Sequence, residues 1–221
     1  MIKSLKTFNL KEKHVLIRVD FNVPIENDRV LDDFRVRAAL PTIQFCLNAG
    51  TNVVLMSHLG RPGGKVVPEM SLIPVGETLA DLLEMPIKFS ADCISEDAHD
   101  VSLGLRGGEV HLLENLRFYA EETENDPDFS SKLAKHGQVY INDAFGTAHR
   151  SHASTVGVAR NFINKGMGFL IEKELQNNNG QQWIDINSTT ATLRIDILSA
   201  YSGEDIGNSN AFKECAIQEL T

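Results

Sequence analysis

The chain has 221 residues, 42% hydrophobic and 23% charged, which is enough apolar material for the core of one domain of ordinary size. A net charge of −9 argues against nucleic acid or an anionic membrane surface as a partner, and no apolar run reaches the roughly 18 residues of a membrane span. The N-terminus lacks the apolar centre of a secretory signal, and three cysteines without CxxC spacing argue against disulfides and zinc and favour a cytoplasmic location.

Four short apolar runs rich in branched residues predict β-strands. In chain order they are Val15–Val19, Val53–Met56, Val110–Leu113 and Val139–Ile141. None of them alternates polar and apolar residues, so each strand is expected to be buried on both faces. This pattern is typical of a parallel sheet that is covered by helices.

The segments between these runs predict helices. "DDFRVRAALPTIQFCLNAG" ends at Gly50, and Pro41 either kinks this helix or marks its start. "SLIPVGETLADLLEMP" follows Ser71, and "DPDFSSKLAKHG" has Asp126 as N-cap with Pro127 in the first helical position. Alternation of strand and helix predicts an α/β fold, with a parallel sheet between two layers of helices.

Each apolar run ends abruptly in polar residues and chain breakers. In open α/β sheets, ligands bind at the carboxyl ends of the strands, so these residues are site candidates. Arg35, which opens the first helix, is a further candidate. Several arginines at one edge of an acidic protein predict a small, highly charged anion as ligand, because the guanidinium fork suits phosphate and carboxylate. The candidates at the strand ends are Asp20, Asn22, His58, Arg61, Arg117, Asn142, Asp143, His149 and Arg150.

Each candidate taken alone has a simpler interpretation. A lone arginine after a strand is most often a surface ion pair, and His58 alone is most often a capping or packing residue. "HRSH" at residues 149–152 has no third metal ligand nearby. "GRPGGKV" fails as a phosphate loop, because Val66 stands where a serine or threonine should hold magnesium. "GMGF" at residues 166–169 lacks the third glycine of a dinucleotide fingerprint and is interpreted as a turn.

Four motifs carry a resemblance to a known family. "RVDFNVP", "LMSHLGRP", "LLENLRF" and "NDAFGTAHRSHAS" begin at residues 18, 55, 112 and 142. In this order they closely resemble phosphoglycerate kinase, and specifically its N-terminal, substrate-binding domain. The resemblance extends from residue 1 to about residue 176. It implies a glycolytic phosphotransferase that moves a phosphoryl group between 1,3-bisphosphoglycerate and ADP.

The resemblance also implies roles for residues that match the motifs. Asp20 and Asn22 would address the hydroxyl and carboxylate end of 3-phosphoglycerate or 1,3-bisphosphoglycerate. Arg35 would lie near the transferring phosphoryl group and act as the catalytic cation. The substrate-binding residues implied by the motifs are Asp20, Phe21, Asn22, Arg35, His58, Leu59, Gly60, Arg61, Arg117 and Arg150.

The resemblance stops before the part of the family that holds the nucleotide. We therefore expect residues 1–170 to form the substrate-binding domain and residues 171–176 to begin the interdomain helix. Mg-ATP and Mg-ADP are the family's cofactors, and no site for them is expected in this chain, which is interpreted as truncated. The chain alone is then expected to be a monomer without kinase activity. The alternative function is a non-catalytic binding module for 3-phosphoglycerate or another phospho-acid.

Residues 177–221 carry no motif of a family that we recognise. They include six acidic and two basic residues, and their apolar residues are scattered. We expect a poorly ordered tail of unrelated origin, such as a frameshifted or rearranged gene gives. A small folded interaction module is the alternative.

Overall fold

The computed structural model describes residues 3–177 of the chain. The strands are β1 (His14–Arg18), β2 (Ile25–Glu26), β3 (Arg29–Val30), β4 (Asn52–Met56), β5 (Ile87–Ser90), β6 (Val110–Leu113), β7 (Val139–Asn142) and β8 (Lys165–Met167). The helices are α1 (Phe34–Asn48), α2 (Ile73–Leu83), α3 (Glu96–Leu103), α4 (Ala120–Glu124), α5 (Pro127–Ala134), α6 (Val158–Arg160) and α7 (Phe169–Asn177).

Six strands form one sheet, and every neighbouring pair in it is parallel. Their order is β5-β6-β4-β1-β7-β8, so the four strands predicted from the sequence occupy its centre. Ile17 of β1 lies between Leu55 of β4 and Ile141 of β7. β2 and β3 form a separate antiparallel hairpin, with Asn27 and Asp28 at its turn in the left-handed region. The predicted parallel sheet is confirmed.

Helices cover both faces of the sheet, as predicted. Alternate strand residues point to opposite faces, so Ile17 packs in one core with α1 and α2, and Leu16 packs in the other with α3, α5 and α6. Phe169 of α7 packs against the first of these cores. The result is three layers, because strands that are apolar on both faces need a helical layer on each side.

Two local predictions need correction. Pro41 does not mark the start of α1, because the helix begins at Phe34 and continues through the proline. The buried stripe of Val36 and Ile43 spans Pro41, and burial of this stripe outweighs the cost of about 3 kcal/mol for an interior proline. The "GMGF" segment is not a simple turn, because Lys165–Met167 is a parallel edge strand and Phe169 begins α7.

Glycine makes the approach of this edge strand possible. A Cβ atom on Gly166 would lie 2.5 Å from the carbonyl oxygen of Lys3, and one on Gly168 would lie 2.3 Å from Asp143 Cγ. Both distances are shorter than any real Cβ contact, so only glycine fits without movement of the chain.

The expected tail lies almost entirely outside the described residues, since α7 ends at Asn177 and residues 178–221 are not described. Within residues 3–177, no helix is long and apolar enough to cross a membrane.

Candidate functional site

A cleft opens at the carboxyl ends of the central strands. It has a volume of about 260 Å³. The loops after β1, β4, β6 and β7 build it together with the start of α1, because these four parallel strands are neighbours and end at the same edge. The residues that line it are Asp20, Asn22, Arg35, His58, Gly60, Arg61, Arg117, Gly146, Thr147 and Arg150.

Most of the predicted site residues lie in this cleft, although they come from separate segments of the chain. Of the ten substrate-binding residues that the motifs imply, two do not: the side chains of Phe21 and Leu59 are buried in the hydrophobic core and do not line the cleft. Gly146 and Thr147 line it and were missed by the sequence argument. The signal for both was available, because the glycine-threonine pair follows β7 as the other polar segments follow their strands.

The loop after β1 is tied to the loop after β4. The backbone N–H of Phe21 donates to Ser57 Oγ at 2.9 Å. The side-chain oxygen of Asn22 accepts from the backbone N–H of Gly60 at 2.8 Å. These two bonds fix the two neighbouring walls of the cleft relative to each other.

Gly60 also contacts the loop after β6. Arg117 Nη1 donates to the carbonyl oxygen of Gly60 at 2.7 Å. Gly60 has a φ of +62°, and a Cβ atom there would lie 2.8 Å from Met70 Sδ. The left-handed backbone therefore favours glycine here, and the peptide it presents is held from both sides of the cleft.

Asn115 joins the loops after β4 and β6 from behind. Its side-chain oxygen accepts from the N–H groups of Leu59 at 3.1 Å and Arg117 at 3.0 Å. Its amide nitrogen donates to the carbonyl oxygens of Leu59 at 2.7 Å and Met70 at 2.9 Å. A buried side chain with all four bonds satisfied makes this a rigid support for Arg117.

Arg35, the second residue of α1, forms an ion pair with Asp20 through Nη1. The Arg35 side chain is 50% exposed, whereas that of Asp20 is 10% exposed. A Cβ atom on Gly146 would lie 3.1 Å from Asp20 Oδ2, so the loop after β7 also approaches this carboxylate. The pair places a cation at the mouth of the cleft.

The electrostatic environment of the cleft is strongly positive. Burial and the charges of Arg18, Arg117, Arg150 and Arg35 lower the pKa of His58 to about 2, so this imidazole is neutral. Burial and the charges of Arg150 and Arg18 lower the pKa of Arg117. Cations that destabilise one another in this way attract an anion, which removes the repulsion between them.

Other strand-end residues have different positions. Asp143 is buried beneath the start of α7, where its Oδ1 accepts from the N–H of Leu170 at 2.9 Å, and burial raises its pKa to about 6. Asn142 accepts from the N–H of Ala144 at 3.1 Å, and His149 is exposed outside the cleft lining. These residues organise the sheet edge without lining the cleft.

Comparison with known proteins identifies the family. The family model described as phosphoglycerate kinase matches residues 5–183. The chain is 50% identical to phosphoglycerate kinase of Chloroherpeton thalassium and 51% identical to that of Moorella thermoacetica, each over 173 residues. Each alignment covers 78% of this chain and 44% of the relative, so the chain spans less than half the length of these curated relatives.

A solved structure of phosphoglycerate kinase from Coxiella burnetii matches with a TM-score of 0.72 and 35% identity. It covers 80% of this chain and 44% of the solved one. The family match extends over every strand of the sheet and the whole of the cleft. The chain belongs to the phosphoglycerate kinase family.

Proposed function

We propose that the cleft binds 3-phosphoglycerate or 1,3-bisphosphoglycerate, and that this chain supplies the glycerate-binding half of the phosphoglycerate kinase reaction. The observation that carries the proposal is the convergence of four arginines on one cleft in a chain with a net charge of −9. With His58 neutral, these arginines and the carboxylate of Asp20 give the cleft lining a formal charge of +3.

The chemistry of the ligand matches this lining. A phosphoglycerate carries a carboxylate, a hydroxyl and a phosphate, and planar guanidinium groups bind both anions with paired hydrogen bonds. We assign Asp20 and Asn22 to the hydroxyl and carboxylate end. Arg35 is the candidate for the transferring phosphoryl group, where a cation stabilises the charge that spreads over the phosphoryl oxygens in the transition state.

The expected affinity for the ligand follows from these contacts. Hydrogen bonds to charged groups contribute on the order of 1.5–3 kcal/mol each, and association costs at least about 4 kcal/mol. Four such contacts less that cost leave about 2–8 kcal/mol, and the midpoint near 5 kcal/mol corresponds to a dissociation constant of roughly 0.2 mM. Half-exposed arginines such as Arg35 are screened by salt, so the affinity should fall as ionic strength rises.

We infer that this cleft is not the site of a magnesium nucleotide. Magnesium beside a nucleotide is held by phosphates, waters and one or two protein carboxylates, and the carboxylate of the lining, Asp20, is already paired with Arg35. We therefore assign the cleft only to the glycerate substrate, and the use of Mg-ATP or Mg-ADP remains a prediction from the family. The cytoplasmic location and the monomeric state remain predictions as well.

The second candidate function is a binding module that holds a phospho-acid without turning it over. The observation that favours it is the same basic cleft, in which four arginines suit a phospho-acid and the carboxylate of Asp20 is paired with Arg35. The two functions share a binding step and differ in turnover, so a measurement of turnover separates them.

Calorimetric titration of the purified chain tests the binding step. We expect saturable binding of 3-phosphoglycerate, and much weaker binding of glycerate and of glycerol 3-phosphate, which lack the phosphate and the carboxylate respectively. Arg37→Ala is the matched control for a variant of Arg35, because Arg37 lies on the same helix, α1, and pairs with Asp33 at 2.8 Å outside the cleft. Absence of saturation by 3-phosphoglycerate up to about 10 mM would reject the proposal.

A further inference from the structure

A buried arginine lies behind the cleft. Arg18 ends β1 and is 1% exposed. Its Nε donates to Ser154 Oγ at 2.9 Å, its Nη2 lies 3.0 Å from His58 Nδ1, and its Nη1 donates to the carbonyl oxygen of Val19. Arg18 therefore connects His58, a cleft residue, to a serine that follows β7.

This contact determines which nitrogen of His58 carries the proton. A guanidinium group only donates hydrogen bonds, so His58 Nδ1 must accept from Arg18. Because His58 is neutral, its single N–H is on Nε2. In this tautomer His58 can donate a hydrogen bond to an anion. In the other tautomer Nδ1 would carry a hydrogen that faces the Arg18 donor.

Ser154 extends the chain of hydrogen bonds to a buried carboxylate. Its hydroxyl donates to Glu122 Oε1 at 2.6 Å, and its backbone N–H donates to Glu122 Oε2 at 2.9 Å. Because the hydroxyl proton is used in this way, Ser154 Oγ is free to accept from Arg18. Glu122 is 0% exposed and lies in the short helix α4.

Charge balance supports an ionised Glu122. Within the described residues Arg18 makes no direct ion pair, and a buried guanidinium without a counter-charge is costly. Burial raises the pKa of Glu122, and the charges of Arg18 and Arg117 oppose that rise. His152 also lies 3.8 Å from Glu122, but burial and nearby arginines lower its pKa to about 4, so it is neutral.

We propose that Glu122 is a positioning residue for the cleft: through Ser154 and Arg18 it holds His58 in the Nε2–H tautomer. The relay keeps the histidine as a hydrogen-bond donor toward an anionic ligand. Its effect on affinity rests on the proposed function, whereas its effect on the tautomer does not.

Nitrogen-15 NMR of the histidine side chains, recorded on the free chain near pH 7, tests the relay directly. We expect His58 to be a single Nε2–H tautomer in the parent. Glu122→Gln and Ser154→Ala should each give a mixture with the Nδ1–H form, because Arg18 Nε loses its anchored acceptor. Glu121→Gln is the matched control, since it removes one charge from an exposed position of the same helix.

Titration with 3-phosphoglycerate gives the second measurement. We expect about tenfold weaker binding in Ser154→Ala and Glu122→Gln, and parental affinity in Glu121→Gln. If Glu122→Gln fails to fold, Ser154→Ala decides, because it keeps both charges and removes only the bridging hydroxyl.

An unchanged His58 tautomer in a folded Ser154→Ala chain would overturn the relay. If the parent does not bind 3-phosphoglycerate, the proposed function fails, while the tautomer measurement still supports or rejects the relay.

Discussion

Arg117 donates from Nη1 to the carbonyl oxygen of Gly60 at 2.7 Å, across the gap between the loops after β6 and β4. Arg117 is only 9% exposed and also lines the cleft. One side chain thus both holds the cleft wall and brings a positive charge to the cleft lining. A fork of several N–H groups can do both at once, which a single ammonium group does less well.

Arg117→Lys should therefore weaken 3-phosphoglycerate binding although the charge is kept. Loss of one charge-assisted hydrogen bond, on the order of 1.5 kcal/mol, corresponds to about tenfold in affinity. Calorimetric titration checks this, with thermal unfolding as the control for stability. Equal affinity of variant and parent would show that Arg117 acts only on the fold of the loop.

The pair between Arg35 and Asp20 leads to a prediction about two variants. Arg35→Ala removes a donor and also leaves the carboxylate of Asp20 unpaired in the cleft, where it repels an anion. We expect Arg35→Ala to weaken 3-phosphoglycerate binding more than Arg35→Ala combined with Asp20→Asn does. Titrations of the two variants beside Arg37→Ala measure the difference. A double variant that binds no better than Arg35→Ala would contradict this electrostatic argument.

The layer that contains α3 includes a buried series of hydrogen bonds between histidine and serine side chains. Ser102 Oγ lies 2.6 Å from His136 Nδ1 and 2.8 Å from His111 Nδ1. His136 Nε2 must donate to the carbonyl oxygen of Cys93 at 2.9 Å, so its Nδ1 accepts from Ser102. Ser102 then accepts from His111, whose Nε2 accepts from Ser90 at 2.8 Å. Each N–H and O–H in this series of hydrogen bonds has one acceptor, so both imidazole rings must be neutral.

These buried histidine–serine hydrogen bonds predict a loss of stability in acid. Burial lowers the pKa of His111 to about 4 and that of His136 to about 3, whereas both titrate near about 6.5 in the unfolded state. Their contribution to the free energy of unfolding is therefore complete above about pH 6.5, and it is lost as the pH falls toward the pKa values of the folded state. Between pH 7.5 and 5, each histidine should cost about 2 kcal/mol of unfolding free energy.

Urea unfolding at the two pH values measures this difference. His111→Leu should reduce the pH-dependent part by about 2 kcal/mol, although the variant is less stable at both pH values. His149→Gln is the control, because this exposed histidine meets solvent in both states. A pH dependence that is the same in His111→Leu as in the parent would contradict the assignment.

Gly168→Ala should destabilise the link between the sheet and α7. The added Cβ would lie 2.3 Å from Asp143 Cγ, and Asp143 holds the first N–H groups of α7. Overpacking of this kind costs about 1–3 kcal/mol or more. Gly76→Ala is a matched control inside α2, where the new atom meets Leu112 at 3.4 Å and alanine favours the helix by about 1 kcal/mol. Chemical unfolding measures the change in stability of both variants, and equal changes would contradict the prediction.

The last prediction concerns turnover. Phosphoryl transfer needs the donor and acceptor in line with magnesium between the phosphates, and in the proposed function the cleft holds only the acceptor. We expect the purified 221-residue chain to show no ATP consumption that depends on 3-phosphoglycerate. Activity should appear when the C-terminal half of a phosphoglycerate kinase is added and docks. Turnover by the chain alone that disappears in Arg35→Ala would contradict this.

The centre of the fold could be predicted because its strands are continuous apolar runs. β5 was missed because Lys88 and Ser90 interrupt a short segment, and β8 because it is three residues long and contains Gly166. The sequence around α3 offers few apolar residues, although Ser95 accepts from the N–H of Ala98 as an N-cap. Polar or very short elements depend on their neighbours, and the sequence pattern does not show those.

The cleft lining could largely be predicted because each motif follows its own strand. The residues behind it could not. Arg18 and Glu122 are charged, and a charged residue is normally expected at the surface. Their burial depends on Ser154, which lies 136 residues from Arg18 along the chain. Such a connection exists only in the folded structure.

The central position of β1 also determines when the site can form during synthesis. β1 is completed early, but its partner β7 comes much later, and the bond from His14 to Gln138 closes a separation of 124 residues. At about 5–20 residues per second, a ribosome needs roughly 6–25 s to make that stretch. Throughout this time one edge of β1 is unpaired and open to other chains. The emerging chain is therefore most prone to aggregation before β7 appears, and the cleft can form only after that strand is in place.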